Sequence, residues 1–160
     1  MVGAPMIKTV LCACLLVAST VFLHASGLVL MLIRLSKHRN LPTGKFWPGT
    51  RLLIGLAWWL ILVHLLEISV WAIFYRIQGC MPDLESAFYF SGVTYTTLGY
   101  GDMVLAEPWR MLGPVEGLAG ILMCGLSTGV FFGVASRFLA AAFSAGQGPG
   151  RAAGNAASEA

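Results

Sequence analysis

Thr94-Tyr95-Thr96-Thr97-Leu98-Gly99-Tyr100-Gly101-Asp102 is the stretch on which the reading of this chain turns. Glycines stand at alternate positions, 99 and 101, just after a run of threonines. Glycine adopts backbone dihedrals that other L-residues avoid. Successive carbonyls of a non-helical strand can then be turned to one side, with the Thr97 hydroxyl beneath them. Such a stack of oxygens can replace the water shell of a dehydrated cation.

The surroundings are those of a membrane protein. The chain has 160 residues, 58% hydrophobic and 11% charged, with a mean hydropathy of +0.79; soluble domains average about a quarter charged residues. Three apolar runs are long enough to span a bilayer, at roughly 20 residues each. They are Val10 to Ile33, Leu52 to Tyr75, and Leu112 to about Ala142. The first has Lys8 before it and Arg34, Lys37 and Arg39 after it, so it reads as a retained helix and not as a signal peptide. Between spans two and three, Pro82 and Asp83 mark the start of a helix over 84–96. At about 1.5 Å per residue it is too short to cross, and suits a re-entrant element whose carboxyl end favours a cation.

Thr97-Leu98-Gly99-Tyr100-Gly101-Asp102 resembles the T-x-G-[YF]-G-D filter of the potassium channel family. The wider likeness is to the bacterial two-helix pore module, with an extra transmembrane helix in front. Leu98 stands where most members carry valine. The resemblance implies an all-α membrane protein with three transmembrane helices, a re-entrant pore helix and a filter loop, assembling as a homotetramer around one potassium pore. Potassium ions would be held at Thr97, Leu98, Gly99 and Tyr100, with Gly101 completing the filter. Asp102 would brace the filter mouth from the pore helix, with Thr96 and Val93 as further support. Some relatives carry a glutamate at the position of Val93 to pair with the aspartate. Gly120 lies close to the gating hinge of relatives. The expected function is passive potassium conduction; a weakly selective cation channel and a non-conducting pore-like subunit are the alternatives.

The organisation read from these signals is an external terminus over 1–9, an extra helix over 10–33 and a basic cytoplasmic loop over 34–51. The pore module is 52–142, with outer helix 52–75, pore helix 84–96, filter 97–102 and inner helix 112–142. A disordered cytoplasmic tail covers 143–160, rich in Gly, Ala and Ser. The loop 34–51 holds Arg34, Lys37, Arg39, Lys45 and Arg51, which places it on the cytoplasmic side of the cell membrane and the amino terminus outside. The basic residues are therefore topology signals, not a nucleic-acid surface.

Glu67 and Glu116 are carboxylates within spans, a costly placement unless they face the protein interior or reach water at an interface. The expectation is that they buttress the pore helix, Glu67 together with His64. Ser127, Thr128 and Phe131 are candidates for the inner cavity wall, and Tyr89, Phe90 and Tyr95 for an aromatic cuff around the filter. His24 reads as a helix–helix hydrogen-bonding residue, and Cys80 as a free thiol or an intersubunit disulfide partner. No arginine repeat of a voltage sensor, no phosphate-binding loop and no hydrolytic arrangement is present, so no enzyme, no cofactor and no small-molecule substrate is expected. The partners expected are membrane lipid and further copies of the chain.

Overall fold

A computed structural model describes residues 3–37 and 46–146. These form α1 (Gly3–Lys37), α2 (Phe46–Ile77), the short α3 (Leu84–Tyr95), a single 3-10 turn (Trp109–Met111) and α4 (Leu112–Gly146). The molecule is all-helical among the described residues, and three helices are long and apolar enough to cross a membrane: Met6–Lys37, Trp47–Ile77 and Trp109–Ala140.

The long helices overrun the apolar stretches that announce them. α1 takes in Arg34 and Lys37, and α2 begins ahead of Arg51, so helix occupies both ends of the basic loop. Arg39 and Lys45 lie outside the described residues. α4 continues through 143–146, part of the stretch expected as a disordered tail; 147–160 lie outside the described residues. Ala140, Ala141 and Ala142 are strong helix formers, and the next proline is not reached until Pro149, so nothing in 143–146 stops the helix.

The ends of α2 and α3 are built alike. At the end of α2 the Cys80 N–H donates to the Tyr75 carbonyl (2.9 Å) and the Gly79 N–H to the Arg76 carbonyl (3.2 Å). Gly79 sits in the left-handed region at φ 67°. This is a Schellman cap, with glycine at its left-handed residue. The chain then turns into α3, capped by Asp83, which accepts from the Ser86 N–H (2.7 Å) and hydroxyl (3.1 Å). Those two bonds hold the Asp83 carboxyl below the usual carboxylate range.

α3 lies in a cradle of the other helices. Trp71, Ala72 and Tyr75 of α2 pack with Ala87 and Phe90 of α3, Leu112 and Ala119 of α4, and Leu16 of α1. Farther along, Met31, Leu56 and Leu60 pack with Phe131 and Val134. α1 packs on both α2 and α4 of its own chain. The Trp71 indole N–H donates to Thr20 (2.9 Å), and the Trp59 N–H to the Gly27 carbonyl (3.0 Å). Lys8 lies over the Trp109 ring at 5.1 Å and Arg34 over Trp59 at 4.5 Å.

Glycine admits α4 to α3. A Cβ on Gly120 would stand 2.0 Å from the Tyr95 carbonyl oxygen and 2.8 Å from its carbon; one on Gly117 would meet the Thr94 carbonyl at 3.4 Å. Helix α4 runs unbroken through Gly120, and this close approach by itself accounts for a glycine there. At Gly125, Gly129 and Gly133 a Cβ would meet nothing within 4 Å. Gly120→Ala is expected to destabilise the protein by about 1–3 kcal/mol, because the obstacle is backbone and cannot rotate aside. A melting temperature equal to that of the parent protein would contradict this packing.

Candidate functional site

The loop after α3 begins inside the helix cap. The Leu98 N–H donates to the Val93 carbonyl (3.0 Å) and the Thr97 N–H to the Thr94 carbonyl (2.9 Å). Thr97 is the left-handed residue, at φ 61°. The same cap closes α2 with Gly79, so threonine here stands where glycine would serve the backbone better. A β-branched residue at positive φ is a genuine outlier, costing about 1–2 kcal/mol. What threonine supplies in return is its hydroxyl. This feature was not legible in the sequence, which pointed only to the two glycines.

Positive φ recurs at Gly99 (55°) and Gly101 (78°). Residues 97, 99 and 101 are thus left-handed and, among the described non-glycine residues, only Thr97 shares that region. Alternation of left- and right-handed residues is the pattern that brings successive carbonyls to one side of a strand. The Gly99 N–H reaches back to the Val93 carbonyl (3.3 Å), so Val93 serves through its main chain, as the anchor for two filter N–H groups. Thr96 turns its hydroxyl onto the Gly92 carbonyl (2.7 Å). Leu98 and Tyr100 are 60% and 68% exposed in the single chain.

The outer end of the loop is fastened by Asp102. It accepts from the Tyr89 hydroxyl (2.7 Å) and from the Met103 N–H (3.1 Å). The bond to Asp102 raises the Tyr89 hydroxyl above the usual tyrosine range. Tyr89 lies one helical turn before Val93, so the pore helix reaches the aspartate from a neighbouring position on the same face. Sequence reading placed Tyr89 in an aromatic cuff and missed this role; its spacing from Val93 was the available signal.

Two buried carboxylates hold the opposite side of α3. Glu116 of α4 is fully buried, and accepts from the Tyr75 hydroxyl of α2 (2.7 Å) and from the Ser91 hydroxyl of α3. Glu67 of α2 is also fully buried; it accepts from the Tyr95 hydroxyl of α3 and lies 2.9 Å from His24 Nδ1 of α1. Neither side chain reaches out to water. Ser91 and Tyr95 are four residues apart and share a helical face, so the two acids grip one stripe of the pore helix. His64 meets the Tyr95 hydroxyl through Nδ1 (3.0 Å) and Ser127 Oγ through Nε2 (3.0 Å), and its Nδ1 lies 3.4 Å from Glu67.

One expectation changes here. Ser127 is buried against the two histidines and is not an open cavity wall. Phe131 packs on Met31, Leu56 and Leu60. Tyr95 is buried at the back of α3. Thr128 is exposed, as a wall residue would be. Cys80 is a free, partly buried thiol, and burial pushes its ionisation upward.

The fold and this site define a class: a membrane protein, all-helical among the described residues, whose short third helix leads into a loop with left-handed residues at 97, 99 and 101 between two spans. Residues 59–137 match the family model described as ion channel. The matched segment, 79 of the chain's 160 residues, therefore carries an ion channel pore domain, and that family is one of channels and not of enzymes. The match runs from within α2 to within α4, and α1 precedes it. No curated protein and no solved structure matches the chain.

Replacing Tyr75 by Phe keeps the ring and removes one donor to a buried carboxylate. Tyr75→Phe is expected to cost about 1–3 kcal/mol, read as a lowered melting temperature of the purified protein. An unshifted temperature would show that this bond contributes nothing.

Proposed function

We propose that the chain is a potassium-selective channel that conducts passively through a filter assembled from four copies. The observation that carries this reading is the alternation of left-handed residues at Thr97, Gly99 and Gly101, with a hydroxyl-bearing residue kept at the first of them against its backbone preference. Potassium is a large, weakly hydrated cation, and rows of carbonyl oxygens are the known replacement for its water. In the proposal the carbonyls of Thr97, Leu98, Gly99 and Tyr100 and the Thr97 hydroxyl form the row, and Gly101 lets the chain leave it.

One loop lines only one side of an ion, so the proposal requires a ring, and fourfold assembly supplies four such rows. The exposure of Leu98 and Tyr100 and the open glycine face of α4 at Gly125, Gly129 and Gly133 support neighbours at those surfaces. We also infer the orientation from the basic residues at the ends of α1 and α2: both ends cytoplasmic, with the filter loop entering from the external side. The cell membrane is the proposed location.

Liposomes containing only the purified chain test the function. Potassium flux is expected to exceed sodium flux, to be blocked by barium and to disappear in Gly99→Ala. Equal fluxes would indicate a weakly selective pore; absent flux would indicate a non-conducting subunit. A second test separates backbone from hydroxyl. Thr97→Gly is expected to raise stability by about 1 kcal/mol, by relieving the left-handed strain, while reducing potassium preference. Thr97→Ser is expected to retain that preference. Selectivity undiminished in Thr97→Gly would remove the hydroxyl from the account.

A further inference from the structure

Behind the pore helix, five side chains from four helices close into a ring. Glu67 faces His24 Nδ1 (2.9 Å), His24 Nε2 faces Ser127 Oγ (3.4 Å), Ser127 faces His64 Nε2 (3.0 Å), His64 Nδ1 faces the Tyr95 hydroxyl (3.0 Å), and Tyr95 closes on Glu67. The ring is largely buried: His24 is 1% exposed, Glu67 0% and Ser127 5%, while His64 keeps 19% of its side chain exposed. The two imidazoles lie 5.3 Å apart, tilted by 42°.

These five contacts are more than the hydrogens available. Two neutral imidazoles carry one N–H each and two hydroxyls one O–H each, and an ionised carboxylate carries none. One contact in the ring therefore sets two lone pairs against each other, unless a positive charge enters. The geometry says where it would enter. Ser127 Oγ faces both Nε2 atoms and has lone pairs for two N–H donors. With both histidines in that tautomer, both Nδ1 lone pairs are directed to the Glu67 carboxylate.

We propose that His24, His64 and Glu67 form a buried site for a divalent transition-metal ion of the zinc class, fastening α1 to α2 behind the pore helix. One nitrogen of each histidine and one carboxylate oxygen lie within 4.8 Å of one another. Ligand atoms around a tetrahedral zinc at about 2.0–2.1 Å stand roughly 3.4 Å apart, so small side-chain rotations bring the three ligands to that spacing, with the fourth position left for a water. Ion binding resolves the hydrogen shortage. Each Nε2–H donates to Ser127, the outer hydrogen bond that metal-bound histidine almost always makes, and the Tyr95 hydroxyl donates to the free oxygen of Glu67. Two imidazoles and one carboxylate suit zinc, cobalt or nickel; magnesium and calcium favour all-oxygen shells. The site does not depend on which ion the filter passes.

The test uses the full-length protein, purified without a histidine tag, stripped with a chelator and titrated with Co²⁺ as a visible-absorption probe and Zn²⁺ as competitor. The expected result is one Co²⁺ per chain, with bands of nitrogen and oxygen ligation, displaced by Zn²⁺. Ser127→Ala should weaken binding by about 10–100-fold, His24→Gln and Glu67→Gln by at least as much, and Cys14→Ser not at all. Helical circular dichroism establishes that each variant is folded. The proposal is overturned if folded wild-type protein takes up no Co²⁺, if His24→Gln binds as tightly as the parent, or if sulfur-to-cobalt bands place the ion on cysteine. The wild-type spectrum alone decides the matter should every variant misfold.

Discussion

The arrangement depends on two carboxylates buried at the back of a twelve-residue helix. Alone, α3 is too short to be stable in water, and its filter end strains a threonine. Glu67 and Glu116 fasten it through Tyr95 and Ser91, and each acid draws in other helices: Glu116 brings Tyr75 of α2, and Glu67 brings His24 of α1. Hydrogen bonds of this kind contribute about 0.5–3 kcal/mol each. Breaking one leaves a desolvated acid, which costs more than the bond itself is worth. α3 is thus held by interactions that tolerate little displacement.

Front and back of α3 are treated differently. The back is gripped by buried acids and by the close approach of Gly120 to the Tyr95 carbonyl. The front uses the last-turn carbonyls themselves: Val93 and Thr94 accept the N–H groups of Thr97, Leu98 and Gly99. Residues 97–99 are therefore a continuation of the helix cap, not a separate loop appended to it. Tyr89 and Asp102 then tie its far end back to the same helix. A loop fastened at both ends to one short, well-held helix has little freedom to change its width.

Much of this was legible in the sequence because it is written locally. Gly99 and Gly101 announce their own dihedrals, Asp83 its cap, and the apolar runs their spans. The cost of a carboxylate in a span was enough to single out Glu67 and Glu116. The partners were not legible, because they depend on how helices rotate against each other. His24 and Glu67 are 43 residues apart, and Ser127 and His24 are 103 apart. No periodicity relates such pairs, and the placement of α1 against both α2 and α4 was needed to bring them together. The left-handed backbone of Thr97 was not legible for another reason: local propensity gives a threonine no sign of positive φ.

The central claim is that four copies of residues 97–101 surround one axis and hold dehydrated potassium between them. A structure of the assembled protein in lipid, grown or frozen with thallium as the heavy stand-in for potassium, tests it directly. The account predicts a fourfold particle with a column of thallium density on the axis, each ion enclosed by carbonyl oxygens of Thr97 to Tyr100. A chain that stays monomeric, or loops whose carbonyls face protein while the axis is empty of ions, would contradict it.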